Sequence, residues 1–136
     1  MGDSDWTLMV DSAEEITAAY AAPPRLNECE LFYVQIDERD ASVTLGFETS
    51  VLPSSPPHAW TGRPYNAVEF YLKFMRVKEL RITGWDSSAR DAAVTLGRRD
   101  DGSVHVSVEG DRSHLDFTAS ASLLTRTHPF LRADEP

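Results

Sequence analysis

The sequence predicts an α+β fold: a short N-terminal helix followed by an antiparallel β meander of about seven strands. Three observations lead there. A single helix-start signature, Ser12-Ala13-Glu14-Glu15, is followed by Pro23-Pro24 as a stop. From Glu30 onward, apolar residues recur at every second position. Short polar segments bearing Gly, Asp or Pro interrupt that alternation at hairpin spacing. Residues 1–136 read as one domain, because the length suits one core and no linker, repeat or low-complexity segment divides it.

The helix is expected to begin at Ser12, whose side chain can accept from the Glu15 amide while both glutamates favour the positive end of the dipole. Ile16, Ala19 and Tyr20 then share one face. So short a helix does not persist alone and must dock, with Trp6, Leu8 and Val10 as further docking contacts.

Phe32, Val34 and Ile36 alternate with Tyr33, Gln35 and Asp37, and Val43, Leu45 and Phe47 continue after the polar stretch 38–41. Both apolar sets share a face if Ile36 pairs with Val43, across a loop around Arg39-Asp40. Residues 52–64 hold four prolines and read as an ordered connection, not a strand. Val68, Phe70, Leu72 and Phe74 alternate strictly, and Leu80 and Ile82 resume the pattern up to Gly84-Trp85. Residues 86–91 read as a loop.

The next hairpin sets Val94 and Leu96 against Val104, Val106 and Val108, with Leu96 opposite Val106. Asp100-Asp101-Gly102 forms its three-residue turn, Gly102 supplying a positive φ. After Gly110-Asp111, Leu115, Phe117, Ala119, Ala121 and Leu123 carry the apolar face. A two-residue turn there would align Val106 with Leu115 and His105 with Asp116.

Composition excludes several classes. The net charge of −9 repels phosphate backbones and anionic leaflets, so neither nucleic acid nor membrane is expected as partner. A basic protein partner would instead be attracted and its encounter hastened. No apolar run is long enough to span a bilayer, and Met-Gly-Asp-Ser-Asp lacks the features of a signal peptide. With the single cysteine, Cys29, this suggests a cytoplasmic protein.

Motifs for chemistry are scarce. There is no phosphate loop, serine elbow, His-Glu-x-x-His or cysteine pair, and neither cofactor nor catalytic residue is expected. Glu28 and Glu30 beside Cys29 raise its pKa, the wrong direction for a nucleophile. Asp100 and Asp101 are better explained by turn chemistry than as a catalytic pair. His58 and His128 sit near prolines and carry little signal. The alternative reading is a small-ligand or metal-binding β domain using His105, His114 and Asp116 on the polar face of the last hairpin. A second rival is an enzyme with a site built from loops such as 52–64.

Aromatic parity divides the rings. Phe32, Phe47, Phe70, Phe74 and Phe117 fall on the inward parity, whereas Tyr33 and Tyr71 fall outward, where they would serve either packing or a partner. Asp37, Glu38 and Asp40 cluster at one hairpin end. With Tyr33 they are the candidate partner-binding residues.

The order of landmarks resembles the immunity protein 50 family of bacterial polymorphic toxin systems. The likeness begins at Tyr20, Pro24 and Leu26 and is strongest from Pro53-Ser-Ser-Pro-Pro57 through Trp60 to Asn66. It continues through Phe70-Tyr-Leu72-Lys-Phe74, Val77, Leu80 and Gly84-Trp85, then Asp101-Gly102-Ser-Val-His-Val and the strand from Leu115 to Ala121. In all it covers about residues 20–128. The resemblance implies a cytosolic, non-enzymatic protein that binds and neutralises a cognate toxin domain. Charge alone adds that the toxin would be basic.

Overall fold

The computed structural model describes residues 3–86 and 91–133. Among these residues the chain is mostly antiparallel β, with eight strands in two four-stranded sheets and few helical turns. The strands are β1 (Glu30–Asp37), β2 (Ser42–Thr49), β3 (Ala67–Met75), β4 (Lys78–Thr83), β5 (Ala93–Arg98), β6 (Val104–Glu109), β7 (His114–Ala119) and β8 (Ala121–Phe130). The first sheet has the order β1-β2-β3-β8 and the second β4-β7-β6-β5. Among the described residues the helical elements include α1 (Glu14–Ala19) and 3-10 turns at Asp3–Met9, Leu26–Glu28 and His58–Trp60. The antiparallel strands and a short N-terminal helix are as expected, but the helical part is slight, and the strands number eight in two sheets among the described residues, not about seven in one meander.

The meander fails at two bends. Arg76, at φ 54°, turns the chain out of β3 into the second sheet, and Ser120 returns it from β7 to β8. Met75 pairs with Ala121 and Lys78 with Thr118, so β3–β4 and β7–β8 bend together from one sheet into the other. The bend is tied by the Ser120 N–H donating to the Met75 carbonyl at 3.1 Å and by Arg76 Nε donating to Ser120 Oγ at 2.5 Å. The apolar alternation read straight through Ser120 therefore stops at Ala119. Beyond it Ser122 is buried, in place of Leu123.

At the N-terminus, Ser12 does not cap the helix. Ala13 is the N-cap residue, its carbonyl accepting from Ile16 and Thr17, and no side chain caps the end. A tertiary tether overrides the local signal: the Asp11 N–H donates to the Ser122 carbonyl at 2.8 Å, and Ala13 is buried. Ile16, Ala19 and Tyr20 dock as expected. Leu8 does not, being 77% exposed. Three residues per 3-10 turn put Trp6 and Met9 on one side and Leu8 off it.

The inner faces of both sheets and the N-terminal segment share one hydrophobic core. Phe74 and Phe117 meet across the sheets at 5.4 Å, while Trp6 stacks on Phe70, itself stacked on Phe47. Removing so central a ring, as in Phe117→Ala, typically costs about 3–5 kcal/mol.

Two expected pairings hold: Ile36 with Val43 and Leu96 with Val106. The 99–103 turn closes as read, with Gly102 at φ 88°. The β6–β7 pairing is displaced by two, so Val106 faces Phe117 and His105 faces Thr118, not Asp116. Gly110 N–H donating to the Ser113 carbonyl centres that turn on Asp111-Arg112, and Ser113 is buried with its hydroxyl on the Gly84 carbonyl at 3.0 Å. Of the expected loop 86–91, residues 87–90 lie outside the described residues.

Candidate functional site

A bulge in β1 shapes the outer face of the first sheet. Leu31 pairs with Phe47 and Tyr33 with Gly46, which leaves Phe32 as the extra residue. Leu31 is buried in the core, whereas Phe32 turns to the outer rings, 5.7 Å from Tyr71 and 6.3 Å from Tyr33. The inward placement expected for Phe32 is thereby corrected. Tyr33 and Tyr71 meet edge to face at 5.5 Å above Gly46. Tyr33 stays 37% exposed and Tyr71 half-buried. Burial, then the nearby Glu69 carboxylate, raises the Tyr71 phenol above its ordinary pKa, so it remains a neutral donor. Rigid, amphipathic and partly open, such a cluster matches the residue types that dominate protein-binding energetics.

At one end of this face stands the β1–β2 turn with Asp37, Glu38 and Asp40. Arg39 grips Asp37 through Nε at 3.0 Å and Nη2 at 2.8 Å, holding its carboxyl down to about 2. Asp40 accepts from Ser42 Oγ at 2.6 Å and pairs with Lys73 at 3.0 Å. Only Glu38 of the three makes no ion pair among the described residues. The tip is acidic but partly neutralised from within.

At the other end three glutamates line up in register, Glu30 opposite Glu48 and Glu48 opposite Glu69. Arg132 Nη1 bridges the first two at 2.9 and 3.1 Å. Asn66 anchors that arginine's backbone, its amide donating to the Arg132 carbonyl at 3.0 Å and its oxygen accepting the Arg132 N–H at 2.7 Å. Trp60 is buried against Tyr65. The loop is tied to α1 by Ser55 N–H on the Ala19 carbonyl and by Tyr20 Oη on the Val51 carbonyl. The Pro-Pro-Trp-Asn stretch is scaffolding for this face.

The polar hairpin face does not assemble as the metal reading requires. His114 has both ring nitrogens engaged, Nε2 by Asp116 and Nδ1 by Glu109 at 2.7 Å. Its pKa is raised, first by the hydrogen bond to Asp116 and further by Glu109. His105 stands apart, beside Thr118 and Gly97. Among the described residues no group of three His, Cys, Asp or Glu side chains is arranged to hold a metal ion. Asp101 accepts from the Ser103 N–H and hydroxyl, which is turn chemistry. Burial, more than Glu28, pushes the Cys29 thiol up to about 12.

Sequence reasoning placed Tyr33 and Tyr71 correctly and missed Phe32 and the glutamate row. The row was within reach, since once Phe47 pairs with Phe70 the outward Glu48 must meet Glu69. The bulge was not, for it changes no composition.

A family model described as immunity protein 50 matches residues 12–130, from two residues before α1 to the last residue of β8. Neither a curated protein nor a solved structure matches the chain.

Proposed function

The chain belongs to the immunity protein 50 family, and from that premise we propose that it binds a cognate bacterial toxin domain in the cytoplasm and neutralises it by direct occlusion, without catalysis. The observation that carries the binding mode is the open ring cluster of Phe32, Tyr33 and Tyr71 on the outer face of the first sheet. Its flanks carry Glu38 at one end and the Glu30–Glu48–Glu69 row at the other. Central aromatics with charged surroundings suit a tight interface whose encounter is steered by charge, and the acidic balance of the chain favours a basic toxin. Asp37 and Asp40, each held by a neighbouring cation, contribute to the field more than to direct contacts.

Co-expression with the toxin encoded beside the gene tests this reading. Growth should be restored by the wild-type chain and lost again with Tyr33→Ala combined with Tyr71→Ala, while both proteins remain folded. A double variant that protects fully would place the interface elsewhere, and a wild-type chain that neither binds nor protects would remove the inhibitor role.

A further inference from the structure

The second sheet carries a surface of opposite sign. A groove of about 510 Å³ lies beside the bend between the sheets, bordered by Arg76, Lys78 and Arg99, by Ser103, Thr118 and Ser120, and by Glu79 and Asp101. A second hollow of about 280 Å³ shares Glu79, Arg99 and Thr118 with it and adds Arg81 and His105. Four permanent cations therefore line one surface of a chain whose net charge is −9, beside three carboxylates, Glu79, Asp101 and Asp116.

These four cations, like Arg63, Arg98, Arg112 and Arg126, make no ion pair among the described residues. Elsewhere Arg25 pairs with Glu28, Arg39 with Asp37, Lys73 with Asp40, and Arg132 with Glu30 and Glu48. Within the groove, Arg76 donates its Nε–H to a hydroxyl. Of the carboxylates at the border, Asp101 accepts from Ser103 and lies in the field of Arg99, Asp116 is engaged by His114, and Glu79 makes no ion pair among the described residues. The backbone bends to present this set, for Arg76 and Glu79 both hold left-handed φ values, 54° and 58°. Side chains rarely accept that conformation without a compensating role. The four cations outnumber the three carboxylates at the border, and a bound anion relieves the repulsion among them.

We propose that this groove binds a phosphate-class oxyanion carried by a small molecule. Its size falls in the range of small-molecule sites, and forked guanidinium donors beside hydroxyls suit tetrahedral oxyanions. The site lies on the second sheet and is independent of toxin binding.

The test is to titrate the full chain with inorganic phosphate, pyrophosphate and glutamate in turn, each against sodium chloride at matched ionic strength. Calorimetry and amide NMR shifts provide the readouts. Pyrophosphate should bind saturably and more tightly than phosphate, with shifts confined to residues 76–81, 99–105 and 116–120. Arg81→Gln and Arg99→Gln should each weaken it roughly tenfold, the scale of one charge-assisted contact. Arg126→Gln, on the first sheet, should bind as wild type does. Shifts no larger than in chloride, shifts spread over the first sheet, or binding indifferent to Arg81 and Arg99 would overturn the proposal. Glutamate bound as tightly as phosphate would overturn the ligand class. Should a variant fail to fold, the wild-type shift map decides alone.

Discussion

Tyr33 and Tyr71 meet edge to face across Gly46, their ring centroids 5.5 Å apart at an interplanar angle of 85°. A Cβ at position 46 would lie 2.8 Å from the Tyr33 Cβ and 2.9 Å from Tyr71 Cε2. The glycine is there because the rings close over its backbone. A requirement for bare backbone on β2 thus creates the open aromatic cluster on the outer face.

Gly46→Ala should therefore destabilise the fold by about 1–3 kcal/mol, the usual scale of overpacking where the backbone cannot yield. Chemical denaturation measures it, and near-UV circular dichroism should show the tyrosine environment change. Unaltered stability with an unaltered tyrosine signal would contradict the packing described.

Two glycines at positive φ separate strain from collision. Gly102, at φ 88°, has nothing within 4 Å of an added Cβ, so Gly102→Ala should cost only the backbone term, about 1 kcal/mol. Gly84, at φ 59°, would drive its Cβ into the carbonyl oxygen of Arg112. Gly84→Ala should be clearly the worse of the two in thermal denaturation. Equal effects would mean that the β4–β7 turn region differs from this description.

His114 should make stability depend on pH. Its pKa is raised in the folded protein, chiefly by Asp116 and then by Glu109, so folding favours the protonated ring. The unfolded value is about 6.5. The contribution is fully present below that pH and is lost as pH rises through the higher folded value. Comparing wild type with His114→Gln from pH 5 to 9, the difference in stability should be largest at the acid end. A difference that is flat with pH would contradict the double carboxylate clamp.

Much of the fold was legible because alternation and turn chemistry agree locally. The β1–β2 and β5–β6 hairpins follow from inward parity and from a turn whose residues fit it. What was hidden leaves alternation intact. The β6–β7 register moved by two, which keeps every side chain on its face, so pattern alone could not distinguish Asp116 from Thr118 opposite His105. The bends at Arg76 and Ser120 pass parity through to another sheet, and local signals say nothing of which sheet follows. Phe32 was misplaced because a bulge is decided by packing around Leu31. Outward Tyr33 and Tyr71 could be named from parity; that they close over Gly46 required the sheet.

The central claim is that the outer face of the first sheet covers the toxin, and association and dissociation rates with the cognate toxin at two ionic strengths test it most directly. Neutralising Asp37, Glu38 and Asp40 together should slow association and flatten its salt dependence, with little change in dissociation, because steering charges act at long range and are screened. Glu38→Gln alone should show roughly a third of that change, since long-range steering follows the net charge removed. Tyr33→Ala and Tyr71→Ala should instead speed dissociation, each by roughly tenfold or more, with association nearly unchanged. Dissociation indifferent to both tyrosines would contradict the account.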